Sequence, residues 1–119
     1  MAKAVETGRR RVPRRAFDAS VGILLHGNYR MERSFQVGEG GMMISSASSL
    51  EVGTQTVISF FLISGSLIIV RGVVRSVVQA RGKLPKRYGV EFLNLGFQYK
   101  REIRNFVAAA TRVDGPIAL

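Results

Sequence analysis

The sequence predicts a mainly β domain, a small antiparallel barrel or strongly bent sheet, with one helix at its C-terminal end. Three observations carry that prediction. From Phe17 to Leu25 apolar residues alternate with polar or small ones, the period of a strand with one buried face. Stretches rich in Val, Ile and Phe then recur between glycine- and serine-bearing turn signals. After residue 96 the period lengthens, and Tyr99, Ile103, Phe106, Val107 and Ala110 fall on one helical face. Strands at short spacing followed by one helix, in 119 residues, suit a single domain large enough to bury a core.

Taken in order, residues 1–12 read as a flexible basic arm, residues 13–112 as the domain and residues 113–119 as a tail. Pro13 imposes an extended, kinked start. The first strand runs to Leu25, "HGN" at 26–28 turns the chain, and a second strand spans Tyr29 to about Gln36. In "GEGG", residues 38–41, the glycines permit positive φ and close approach of a ligand. "MMIS" forms a short strand, and a connector ends in a turn at Gly53. Residues 55–63 and 66–79 form two more strands, the second bent or bulged at Gly72. A basic loop with Pro85 covers 81–87, "YGVEFLNL" is the last strand, and the helix occupies 97–111, broken by Gly115 and Pro116. Residues 52–70 carry no formal charge and match a bilayer span in length. Their interior Gly, Thr, Gln and Ser residues, with "SGS" at 64–66, read instead as two strands around a turn, without membrane insertion.

The formal net charge is +10 and the pI about 11.3, a balance that favours phosphate-bearing or acidic partners. Cysteine is absent and His26 is the single histidine, which excludes a thiolate site and argues against zinc. No nucleophile–base pair is evident and the carboxylates are scattered, so neither an enzyme, a metal nor a cofactor is expected. Charge near the N-terminus is followed by no apolar stretch, which predicts a cytoplasmic protein rather than a secreted one.

Two stretches bear on function. "RRRVPRR" at 9–15 is, alone, a solvated arm or a nonspecific nucleic-acid contact. "VGEGGMM" at 37–43 is, alone, a loop between strands, since it lacks the Lys-Ser/Thr ending of a phosphate loop and precedes no helix. Together they say more, because a compact anion with guanine rings would need several arginine groups converging on a glycine-rich turn. Arginine forks bind phosphate bidentately, face guanine O6 and N7, and stack on bases. Sequence spacing permits residues 10–15 and 36–41 to meet at one end of a barrel.

The chain resembles the PilZ domain family, bacterial receptor modules for cyclic di-GMP. The family's Arg-x-x-x-Arg motif is matched by "RRVPR", Arg10 to Arg14, with "RVPRR", Arg11 to Arg15, as the alternative register. Its second motif, Asp/Asn-x-Ser-x-x-Gly, falls on "QVGEGG", residues 36–41. Gly41 matches the last glycine, Gln36 stands for the acid or amide, and Gly38 stands for serine. "YGVEFLNL" and the following helix resemble the family's last strand and helix. "DASVG" at 18–22 imitates the second motif, but its glycine comes one residue early and it lies within the first strand.

The resemblance implies a six-stranded antiparallel β-barrel with a C-terminal helix. It also implies that Arg10, Arg11, Arg14 and Arg15 grip phosphate and guanine edges, with Gln36, Gly38, Gly40 and Gly41 opposite. Ligand would draw the arm onto the barrel and alter a surface read by a downstream protein. Gln36 keeps a hydrogen-bonding amide without charge, and Gly38 supplies no hydroxyl. Restoring the motif by Gln36→Asp and Gly38→Ser is expected to tighten binding. Two alternatives stand beside this reading: a degenerate PilZ domain acting only through protein contacts, and a basic β-barrel binding nucleic acid nonspecifically.

Overall fold

The computed structural model describes residues 13–78 and 86–117, and from residue 110 onward the backbone alone. Strands Arg14–Leu25 (β1), Asn28–Gly38 (β2), Gly41–Ser46 (β3), Gln55–Phe61 (β4), Leu67–Val78 (β5) and Lys86–Leu93 (β6) pair antiparallel throughout. They close into a barrel in the order β1-β2-β3-β6-β5-β4. The closing seam is short, from Gly22 opposite Ser59 to Leu24 opposite Val57. The six strands and the helix agree with the sequence expectation. The uncharged stretch 52–70 forms β4, a turn and the first third of β5, and no described helix is long and apolar enough to cross a membrane.

Local chemistry explains the turns. His26 and Gly27 form a two-residue hairpin loop, with φ of 50° and 80°. Paired left-handed residues twist in the sense that matches the flanking strands. Gly53 and Gly65 also take positive φ, whereas Gly38, Gly40 and Gly41, which could adopt it, are not among the positive-φ residues. The roles of Gly38 and Gly41 are steric, as the site geometry shows. Gly72 does not mark the irregularity in β5. It stays in register with Thr56 and Phe92, while the pairing shifts between Val74 and Ser76. Gly72 is small because a Cβ there would lie 2.6 Å from Val90 Cγ1.

The core contains Val21, Ile23, Ile44, Ile58, Ile68 and Val74, all nearly inaccessible, with Phe17, Phe60 and Phe92 toward the helix. Tyr88 is fully buried, and its hydroxyl donates to the Ser48 carbonyl (3.0 Å) and accepts from the Leu50 amide (3.0 Å). That phenol satisfies the connector's backbone from inside the barrel. A bulge in β1 between Ala16 and Ala19 is held by buried Ser34, whose hydroxyl donates to the Phe17 carbonyl at 2.6 Å and lies 3.2 Å from that of Ala19.

Asn94, with φ of 52°, reverses the chain after β6, and the Gly96 carbonyl accepts the first helical bond from Lys100. The helix, Phe97–Ile117 (α1), presses Ile103 and Val107 into the barrel end, with Tyr99 and Phe106 partly buried beside them. Phe106 meets Phe17 edge-on at 5.6 Å, and Phe17 meets Phe60 at 5.7 Å. The expected break at Gly115 and Pro116 is absent, and the helical backbone continues to Ile117. A proline so near the last residue removes one bond to the carbonyl four residues back, so it does not stop the turns before it.

Candidate functional site

β1 and β2 bring the two sequence motifs together. Arg14 pairs with Gly38, Arg15 with Val37 and Ala16 with Gln36. Arg10 and Arg11 lie outside the described residues, as does most of the basic loop, residues 81–85. Arg14, Gln36 and Gly40 are exposed, while Gly38 and Gly41 are buried. Arg14 and Gln36 therefore border one open surface, beside the turn from β2 to β3.

Two glycines at that turn are required by close backbone approach. A Cβ at Gly38 would lie 2.7 Å from the Pro13 carbonyl oxygen and 3.1 Å from Arg14 Cγ. A Cβ at Gly41 would strike the Val90 carbonyl of β6. Nothing lies within 4 Å of a Cβ at Gly40. Gly38 thus lets the arginine strand lie directly against β2, and the family's serine cannot be placed there without displacing Pro13. Gly38→Ser therefore carries a steric cost beside any contact with ligand that it would restore. Gln36, opposite Ala16 and exposed, carries no such constraint.

The helix is fastened to both motifs. Arg15 Nη1 donates to the Phe106 carbonyl at 3.0 Å, and its guanidinium lies 4.1 Å from the Phe106 ring centroid. Arg104 grips Glu39 with two prongs, Nε to Oε2 at 2.9 Å and Nη2 to Oε1 at 3.1 Å. These hydrogen bonds hold the Glu39 carboxyl below the usual carboxylate range, against the opposing effect of burial, with the charges of Arg104 and Lys100 adding to the lowering. The Arg104 guanidinium is raised in turn, first by the same hydrogen bonding. At neutral pH the pair is ionised, and the β2–β3 turn is tied to α1.

Sequence reasoning gave no role to Glu39, Arg104 or Ser34, and placed Phe106 on the packed helical face without its contact to Arg15. Arg104 and Glu39 are 65 positions apart, and neither stands out among its neighbours. Ser34 reads as an ordinary strand serine until the bulge is seen. A cleft of about 440 Å³ lies farther along the outer surface, lined by residues including Met31, Glu32, Arg33 and Ser46. None of the described candidate residues lines it. Among the described residues no three His, Cys, Asp or Glu side chains gather as a metal site would need.

Comparison with known proteins accords with this geometry. The inhibitor of motility MotI/DgrA of Bacillus subtilis matches with a TM-score of 0.77 and 16% identity, over 87% of this chain and 51% of that one. This chain therefore spans about half the length of that protein. The PilZ domain of YcgR from Escherichia coli, solved with cyclic di-GMP, matches with a TM-score of 0.71 and 17% identity, over 92% of this chain and 97% of that one. MrkH of K. pneumonia, in complex with cyclic di-GMP, gives 0.69 and 15%, over 93% and 56%. No curated protein matches the chain. The profile of the PilZ domain matches residues 8–109, nearly the whole chain from the arginine stretch to the helix, and the chain belongs to the PilZ domain family.

Proposed function

We propose that this domain is a receptor for cyclic di-GMP that performs no chemistry itself and signals, in the bacterial cytoplasm, to a partner protein. The observation that carries the reading is the pairing of Arg14 with Gly38, which joins the family's two motifs at one surface. Structural neighbours solved with cyclic di-GMP support it. Arg14 and Arg10 grip phosphate and guanine edges, Gln36 offers an uncharged amide, and the turn through Gly40 forms the opposing wall. Arg15 is engaged with Phe106, which gives it a part in holding the helix. Residues 1–12 act as the arm that ligand draws onto the barrel. Because Arg15 and Glu39 also hold α1, a ligand that rearranges either motif changes how the helix is docked.

The test is displacement of a fluorescent cyclic di-GMP analogue from wild type, Arg14→Ala and Arg14→Lys. Arg14→Ala weakens binding by about 1.5–3 kcal/mol, the range for a charge-assisted hydrogen bond. Lysine restores charge without the planar fork, so Arg14→Lys recovers little. Equal affinity for all three would refute the assignment. Gln36 and Gly38, which depart from the family motif, favour a second reading, a PilZ domain that binds only protein. That reading predicts no binding by any of the three.

A further inference from the structure

The outer surface of the barrel over β2, β1, β4 and β5 is apolar where a solvent-facing antiparallel sheet ordinarily presents polar side chains. The registers align Met31, Gly22, Ser59 and Ile69 in one row across these four strands, and Tyr29, Leu24, Val57 and Arg71 in the next. Phe61 and Leu67 pair one step beyond Ser59 and Ile69 on the same side. The six largest of these apolar side chains are each 42% to 63% exposed. Gly22 keeps the face flat, because a Cβ there would collide with the Tyr29 hydroxyl and lie 2.7 Å from Ser59 Oγ. Tyr29 therefore lies down across β1 toward β4.

One cation in this face lacks a counter-charge among the described residues. Arg71, on β5 opposite Val57, is exposed and has no carboxylate, hydroxyl or ring against it among the described residues. Other strand arginines are matched: Arg30 with Glu32, Arg33 with Asp18 and Arg75 with Glu91. A second copy of the chain would bring no excess of carboxylates to Arg71, and two molecules of net charge +10 repel.

We infer that this face docks an acidic partner protein, through a flat apolar surface that carries a carboxylate to meet Arg71. Apolar contact supplies the affinity, and the Arg71 pair fixes register and excludes basic surfaces. The inference rests on the partner-binding half of the function proposed above and is independent of the identity of the nucleotide.

The probe is a display library of random 16-residue peptides, selected on the full chain without nucleotide and then repeated with cyclic di-GMP. Individual synthetic peptides are measured against wild type, Ile69→Lys, Met31→Lys and Arg71→Glu, each substitution lying on an exposed strand position and checked by thermal melting. The expected peptides combine apolar residues with Asp or Glu. Each substitution weakens them about tenfold, the loss of one strong interface residue. Changing the peptide's acid to lysine restores binding to Arg71→Glu. Binding that appears only with cyclic di-GMP retains the surface and identifies ligand gating. Binding in neither condition, or binding insensitive to all three substitutions, overturns the inference. So does a wild-type dimer that Ile69→Lys dissociates, which makes the occupant a second copy. Adsorption to phosphatidylglycerol vesicles that Ile69→Lys and Met31→Lys abolish overturns it as well, by making the occupant a lipid surface.

Discussion

Replacing Gly38 with serine brings back the residue the family motif specifies, yet the structure predicts that it damages the strand presenting Arg14. The new Cβ lies 2.7 Å from the Pro13 carbonyl oxygen, about 0.7 Å inside ordinary contact, which begins near 3.4 Å. Arg14 Cγ, at 3.1 Å, can swing aside. The Pro13 carbonyl belongs to the backbone and moves only if the start of β1 moves with it. Overpacking of this kind costs about 1–3 kcal/mol. Arg14 and Gly38 form the last registered pair of the β1–β2 ladder, so the strand end yields before the core does. The lower half of that range, about 1–2 kcal/mol, applies. For a domain of this size the melting temperature falls by roughly 4–10 °C. Urea denaturation and thermal melting measure the change, and Gly40→Ala is the control. A Cβ at 40 meets nothing within 4 Å, so that variant stays within about 0.5 kcal/mol of wild type. If Gly38→Ser were as stable as Gly40→Ala, the argument from close approach would be wrong.

Two further outcomes follow from single contacts. Tyr88→Phe leaves the Ser48 carbonyl and Leu50 amide without their buried partner, and lowers unfolding free energy by about 1–3 kcal/mol in urea titration with the slope unchanged. Glu39→Gln releases the two-pronged grip of Arg104, so α1 amides exchange faster than in wild type at neutral pH. Because the folded Glu39 pKa is depressed, its contribution is complete above the ordinary carboxylate pKa and is lost as pH falls through the folded value. Exchange in wild type and variant should converge in acid, below the usual carboxylate range. A difference that persists there would assign the effect to something other than the ion pair.

Much of the barrel was legible because one physical signal dominates each element. Alternation from Phe17 to Leu25 marks β1, and the longer period of Ile103, Phe106 and Val107 marks the packed face of α1. Local irregularity was not legible. Glycine at 72 suggests a bulge equally well whether it makes one or merely gives way to Val90, and only three-dimensional packing separates the two. The glycines at 38 and 41 were seen as flexible and proved to be thin. The meeting of Arg14 with the glycine turn was foreseeable from motif order. The fastening of both motifs to the helix was not, because Arg15–Phe106 and Glu39–Arg104 join residues 91 and 65 positions apart. No local pattern encodes such pairs.

The most direct measurement is isothermal titration calorimetry of the wild-type chain with cyclic di-GMP, with GTP and a short DNA duplex as parallel titrants at physiological salt. The account predicts saturable heat with cyclic di-GMP alone, weakened about ten- to a hundredfold by Arg14→Ala. Absence of heat with cyclic di-GMP at high ligand concentration contradicts it, and so does heat from the duplex that matches or exceeds it.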